Sequence, residues 1–151
     1  MRLNLSALLC SIDLATKDLI EQSLLFLTGF FLGYLIRKLF TMRHFTAKQL
    51  HEHLAQSDTQ PLLLDVREQW EFDYCSLKDS ILIPMGQLPY ELETLAAEIG
   101  LEREIIMICH HGIRSRQMGY YMEQAGFKNI TNLDGGVEQW AEDVDKTMKR
   151  Y

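Results

Sequence analysis

Residues 104–115 of the chain are EIIMICHHGIRS, and this stretch decides the fold. Its first five residues, EIIMI, are almost all apolar and predict a strand buried on both faces, as strands of a parallel sheet are. A glycine-containing loop with two adjacent histidines follows, and a helix is predicted over 114–124. A strand that leads through a short loop into a helix is typical of an α/β protein.

The same alternation of strands and helices extends to both sides of this stretch. Thr46 and Gln49 have the spacing of a helix-capping box, and Gly100 and Gly126 follow predicted helices, as glycine commonly does. The sequence therefore predicts an α/β fold whose mainly parallel central sheet is flanked by helices. Helices are predicted over 46–56, 68–72, 87–99, 114–124 and 135–140, and strands over 62–66, 81–83, 104–108 and 129–133.

Composition excludes several classes of protein. The 151 residues are 47% hydrophobic and 24% charged, which fits one ordinary globular domain rather than a disordered chain. The formal net charge of −6 argues against a nucleic-acid binder, which needs a basic face. The three cysteines form no C-x-x-C pair, so neither a disulfide framework nor a zinc site is expected, and a reducing compartment such as the cytoplasm is.

The first 41 residues differ from the remainder, and the predicted domain boundary divides 1–41 from 42–151. Residues 22–36 are an uncharged apolar run, and basic Arg37 and Lys38 follow. One interpretation is a membrane anchor through residues 19–36 that holds the domain at the cytoplasmic face of the membrane. The alternatives are an over-extended start assignment, or an apolar helix packed on the domain.

The candidate chemistry lies in the loop that begins at Cys109. In open parallel sheets, ligands bind beyond the carboxyl ends of the strands, and the strand 104–108 delivers a cysteine there. Gly112 allows the loop to curl so that its backbone N–H groups and the amino end of the next helix face one point. Arg114, His110 and His111 are expected to add positive charge that favours the reactive thiolate of Cys109.

Four segments in order resemble the rhodanese (thiosulfate sulfurtransferase) family, in its single-domain bacterial type. They are LLLDVREQWEF (62–72), ILIPM (81–85), CHHGIRS (109–115) and NLDGGVEQWAEDVD (132–145) with the terminal KRY. The resemblance implies a three-layer sandwich over about residues 44–151.

By this resemblance, Cys109 is the catalytic nucleophile. It would accept sulfane sulfur from thiosulfate or a persulfide donor as a covalent persulfide, with no metal or other cofactor. It would then pass the sulfur to cyanide or to a thiol, including a thiol of another protein. The loop residues that would surround the substrate are His110, His111, Gly112, Ile113, Arg114 and Ser115.

Three further side chains have two interpretations each. Asp65 and Arg67 lie at the carboxyl end of the strand 62–66 and would either orient the loop and steer substrate or form a structural ion pair or loop-fixing hydrogen bond. Cys75 stands where family members commonly have a Gly-His-Ile turn. It would be either a resolving thiol for Cys109 or a small buried side chain.

Large aromatic side chains are expected to fill the core. These are Trp70, Tyr120, Tyr121 and Trp140.

Two other functions are compatible with the pattern. One is a non-catalytic scaffold or binding module with a rhodanese fold, although Cys109 and Gly112 are both present. The other is a cysteine-dependent phosphatase or arsenate reductase. A C-x5-R loop would need arginine at the position of Ser115, whereas Arg114 is one residue too early.

Overall fold

The structure is a computed structural model that describes residues 42–151. Strands and helices alternate along this part of the chain, as the sequence predicts. The strands are β1 (Arg43–Phe45), β2 (Leu62–Asp65), β3 (Ile81–Leu82), β4 (Ile105–Ile108) and β5 (Ile130–Leu133). The helices are α1 (Ala47–Gln56), α2 (Gln69–Tyr74), α3 (Leu88–Ile99), α4 (Ile113–Gln124) and α5 (Gly136–Asp143).

All strand pairs of the described sheet are parallel, in the order β1-β5-β4-β2-β3. The predicted α/β fold with a parallel sheet flanked by helices is therefore confirmed. Strand β4 lies at the centre, where Ile105 pairs with Leu62 of β2 and with Ile130 of β5. The edge strand β1 was not predicted, because its sequence Arg-His-Phe is short and largely polar.

Strand β4 is buried on both faces, as its apolar sequence predicts. Ile105 and Met107 belong to one hydrophobic cluster, together with apolar side chains from α3 and α4. Ile106 and Ile108 belong to the other, with Leu50 of α1. The sheet thus separates two layers of helices, and the three-layer sandwich is confirmed.

The prediction for the aromatic side chains is wrong for three of the four. Trp70, Tyr120 and Tyr121 are 62%, 46% and 43% exposed, whereas Trp140 is half-buried against the α1 side of the sheet. Helix α4 turns its small or flexible residues inward instead. These are Ser115, Met118, Gly119 and Met122.

The segment 1–41, with the run 19–36, lies outside the described residues. Within 42–151, no helix is both long enough and apolar enough to cross a membrane.

The amino end of α5 packs directly on the carboxyl end of β4. The Val137 N–H donates to the Cys109 carbonyl at 3.0 Å, and the Glu138 N–H donates to the His110 carbonyl at 3.2 Å. Gly136 has φ +60°, and a Cβ there would overlap both carbonyl oxygens. Glycine is therefore needed for α5 to hold the loop that begins at Cys109.

We expect Gly136→Ala to lower the free energy of unfolding by about 2–4 kcal/mol, because the side chain would push α5 away from β4. Gly86→Ala is the matched control, since a Cβ there meets no atom within 4 Å. The control should change stability by less than about 0.5 kcal/mol. Urea unfolding of both variants measures the difference, and equal effects would contradict the proposed close contact.

Candidate active site

The thiol of Cys109 lies at the carboxyl end of the central strand and is 1% exposed. Its Sγ accepts a hydrogen bond from the Gly112 N–H at 3.1 Å and lies 3.3 Å from the Ser115 Oγ. Gly112 is the N-cap of α4, so the amino end of this twelve-residue helix faces the sulfur. Both the Gly112 N–H and the helix dipole favour negative charge there.

Strand β5 supports the loop from behind. Gly112 has φ +83°, and a Cβ there would lie 2.8 Å from the Leu133 carbonyl oxygen. The buried Asn132 side chain donates from Nδ2 to the Gly112 carbonyl at 3.1 Å and accepts from the Ser115 hydroxyl at 2.7 Å. Asn132 was missed by the sequence analysis, although it lies within a segment that carries the resemblance.

The Ser115 hydroxyl can change its hydrogen-bond partner when the Cys109 sulfur becomes negatively charged. It has one hydrogen, so it donates at any moment either to Asn132 Oδ1 or to Cys109 Sγ. While Cys109 is a thiol, the hydroxyl can stay on Asn132 and accept from the S–H group. When the sulfur becomes negative, rotation of the hydroxyl provides a second donor beside the Gly112 N–H.

Arg114 does not offer the free positive charge that the sequence analysis expected. Its two terminal nitrogens each donate to one carboxylate oxygen of Glu71, both at 2.7 Å. These hydrogen bonds raise the pKa of Arg114, which stays charged. Glu71 is 4% exposed and was missed by the sequence analysis. The charge of Arg114 in the loop is therefore already paired with the carboxylate of Glu71.

Tyr151 completes the surroundings of Glu71. Its hydroxyl donates to Glu71 Oε1 at 2.6 Å and accepts from Arg67 Nη1 at 3.1 Å. The ring centroid of Tyr151 lies 4.2 Å from that of His110 and 5.4 Å from that of Trp70. Burial and the bond to Glu71 raise the pKa of Tyr151 to about 12, so the phenol remains neutral.

Asp65 and Arg67 form a fully buried ion pair. Arg67 donates from Nε and Nη2 to Asp65 Oδ2 at 2.9 and 2.7 Å, and neither side chain reaches solvent. This geometry supports the structural interpretation rather than contact with a dissolved substrate. Arg67 also donates to the Cys75 carbonyl at 2.7 Å, and its Nη1 lies 3.9 Å from the Cys75 Sγ. Cys75 is half-buried, and both Cys75 and Cys109 are free thiols.

The remaining side chains of the loop are those of His110, His111 and Ile113. His110 and His111 stack with ring centroids 4.0 Å apart, and His110 Nε2 lies 3.5 Å from a Glu138 oxygen. Burial and the neighbouring His111 lower the pKa of His110. Ile113 is 64% exposed. Within residues 42–151, no three histidine, cysteine or acidic side chains are grouped closely enough to hold a metal ion.

Comparison with known proteins identifies related sequences and a related solved structure. The family model for the Rhodanese-like domain matches residues 46–143. The putative sulfurtransferase YtwF of Bacillus subtilis is 33% identical over 85 residues, which are 56% of this chain and 78% of that protein. The adenylyltransferase and sulfurtransferase MOCS3-2 of Zea mays is 31% identical over 104 residues, which are 67% of this chain but 22% of the maize protein.

Among solved structures, a rhodanese-related protein from Thermoplasma volcanium superposes with a TM-score of 0.57 at 28% identity. That similarity covers 68% of this chain and 93% of the other.

The Glu71 carboxylate should make stability depend on acidity. Burial disfavours its charge, but the hydrogen bonds from Arg114, the Glu68 N–H and Tyr151 outweigh burial and lower the pKa of Glu71 from 4.5 to about 2. Since this pKa is depressed in the folded state, the stabilisation is complete above pH 4.5 and is lost as the pH falls towards 2. Between pH 7 and pH 3, wild type should lose about 2 kcal/mol more unfolding free energy than Glu71→Gln in urea titrations. Parallel losses in the two proteins would contradict this role of the carboxylate.

Proposed function

The chain belongs to the rhodanese-like domain family, and we propose that it transfers sulfur through a persulfide on Cys109. The observation that carries this proposal is the position of Cys109 Sγ, at the amino end of α4 with the Gly112 N–H and the Ser115 hydroxyl beside it. The family and the sulfurtransferase names of relatives support sulfur transfer as the general activity. Cys109 is the proposed catalytic residue, and the loop 110–115 is the proposed substrate-binding element.

The proposed reaction has two steps. The Cys109 thiolate attacks the sulfane sulfur of a donor, such as thiosulfate or a persulfide. A bond forms between the two sulfur atoms, and the bond from the sulfane sulfur to the rest of the donor breaks. Sulfite or a thiolate leaves with the electron pair. A nucleophilic acceptor, cyanide or a thiol, then attacks the outer sulfur, and Cys109 leaves as thiolate. Each step conserves charge and needs no external oxidant or reductant.

The amino end of α4 suits the persulfide better than it suits the free thiol. The first N–H groups of a helix have no hydrogen-bond partner within the helix. In α4 these are the N–H groups of residues 113–115, which adjoin the loop. In a persulfide the negative charge lies on the outer sulfur, one atom further from Cys109. The outer sulfur can therefore reach the backbone N–H groups that follow Gly112. The loop thus holds the intermediate with backbone dipoles that need little rearrangement.

A partner thiol as acceptor requires a reducing compartment, and we propose the cytoplasm. The relatives include a putative sulfur carrier protein of Bacillus subtilis, which supports a protein among the sulfur donors or acceptors. The anchor at residues 19–36 stays a prediction from the sequence.

Cys109→Ser should abolish persulfide formation, because serine cannot carry sulfane sulfur. Intact mass of the full chain after treatment with thiosulfate or cysteine persulfide would show one added sulfur atom in wild type. Cyanide would remove it. Cys75→Ser is the matched control and should still gain the sulfur. No added sulfur on wild type with either donor would contradict the proposed enzyme and favour the scaffold interpretation.

Ser115→Ala should slow persulfide formation roughly threefold to tenfold, since it removes one of the two hydrogen-bond donors beside the Cys109 sulfur. Single-turnover kinetics with an excess of the sulfur donor measures this step directly. Ser80→Ala is the matched control, because that hydroxyl donates to the Leu77 carbonyl at 2.6 Å. Ser80 lies just before the edge strand β3, whereas Cys109 follows the central strand β4. Equal rates in wild type and Ser115→Ala would mean that the hydroxyl only supports the loop.

A further inference from the structure

We propose that the site selects its donor by charge and takes sulfur from an organic donor with at most one negative charge in preference to the thiosulfate dianion. In this proposal, Glu71 is the specificity-determining residue. The inference rests on the proposed function and concerns the class of substrate.

The arginine of the loop is fully matched by a carboxylate. Arg114 makes two hydrogen bonds of 2.7 Å to Glu71, and the Tyr151 hydroxyl holds the same carboxylate from a third direction. A guanidinium paired in this way attracts an approaching anion only as a dipole, and a dipole attracts more weakly and at shorter range than a free charge.

Two further arginines among the described residues, Arg67 and Arg150, are paired with carboxylates as well. Arg67 is fully buried and bonds to Asp65 through two nitrogens. Arg150, in the segment after α5, bonds to both Glu138 and Glu142.

The histidine beside Cys109 adds little charge. His110 Nε2 faces a Glu138 oxygen at 3.5 Å. Its partly buried ring lies between the rings of His111 and Tyr151, an environment that disfavours the imidazolium. The three paired arginines and His110 therefore give little compensation to two negative charges on a small donor. The hydrogen-bond donors beside the sulfur are the Gly112 N–H and the Ser115 hydroxyl.

Exposed apolar side chains flank the loop that begins at Cys109. Ile113 adjoins Arg114 and is 64% exposed. Trp70 is 62% exposed and contacts Tyr151, which covers Glu71. An organic group attached to the sulfane sulfur could bury part of this surface, whereas the sulfonate of thiosulfate could not.

Three donors separate charge from apolar contact. Thiosulfate carries two negative charges, methanethiosulfonate carries one, and benzenethiosulfonate carries one together with an aromatic ring. For each donor we would measure kcat/KM with the full chain and cyanide as acceptor. Dividing it by the second-order rate constant for the reaction of the same donor with free cysteine corrects for the intrinsic reactivity of the donor. The normalised value for methanethiosulfonate should exceed that for thiosulfate by about tenfold, and benzenethiosulfonate should be better still.

The decisive comparison is the variant Glu71→Gln, which keeps the shape of the side chain but leaves the charge of Arg114 unmatched. The preference for methanethiosulfonate over thiosulfate should fall roughly fivefold to tenfold. This ratio is independent of the fraction of folded protein. Glu98→Gln removes the same charge from an exposed site near the end of α3 and should leave the ratio unchanged.

Trp70→Ala should lower the value for benzenethiosulfonate but not for methanethiosulfonate. Cysteine persulfide, whose amino group offsets one of its negative charges, represents the persulfide donors. Transfer from it at a normalised rate above that of thiosulfate supports the proposal, and a rate below that of thiosulfate contradicts it.

Two failures are distinguishable. If all donors give equal normalised values and Glu71→Gln leaves them equal, selection by charge is overturned while the Cys109 persulfide stands. If no donor adds sulfur to Cys109, the proposed function itself is overturned.

Discussion

The carboxylate of Glu71 is the constraint on which the rest of the site depends. It accepts two hydrogen bonds from Arg114, one from the Tyr151 hydroxyl and one from the Glu68 N–H, so it joins α2, the loop and the segment after α5. A buried carboxylate is costly unless its oxygens are matched in this way. Because the oxygens of this carboxylate are matched, Arg114 is drawn towards Glu71, and the Gly112 N–H and the Ser115 hydroxyl are left to face the sulfur.

Backbone packing sets the shape of the loop around that sulfur. Gly112 lies against β5, and Gly136 lies against the carbonyl groups of Cys109 and His110. A side chain at either glycine would meet main-chain atoms, which cannot move without shifting a strand. The thiol is thus held between the central strand and two helix starts, by contacts that do not depend on side-chain charge. This arrangement explains how an acidic chain can still present a site that favours a negative sulfur.

The sequence predicts those features that depend on neighbours along the chain. Apolar runs gave the central strands, the capping box at Thr46 began α1, and the change from β4 to a glycine loop located Cys109. The partners of the loop could not be found in this way, because Glu71 lies 43 positions from Arg114 and 80 positions from Tyr151. Their contacts exist only once the sheet is assembled. Trp70 was misjudged for a related reason, since residue type predicts burial only on average.

The pairing of Arg114 with Glu71 is consistent with a site that must release the sulfur it binds. If Cys109 bears the persulfide as proposed, a free guanidinium beside it would stabilise the intermediate and the anionic donor alike. Uniform stabilisation of bound states improves binding but does not speed the transfer steps. Oriented N–H groups act mainly at the sulfur atoms, where charge moves from donor to Cys109 and on to the acceptor. The ion pair between Glu71 and Arg114 can then keep the loop rigid while the charge of the donor contributes little to binding.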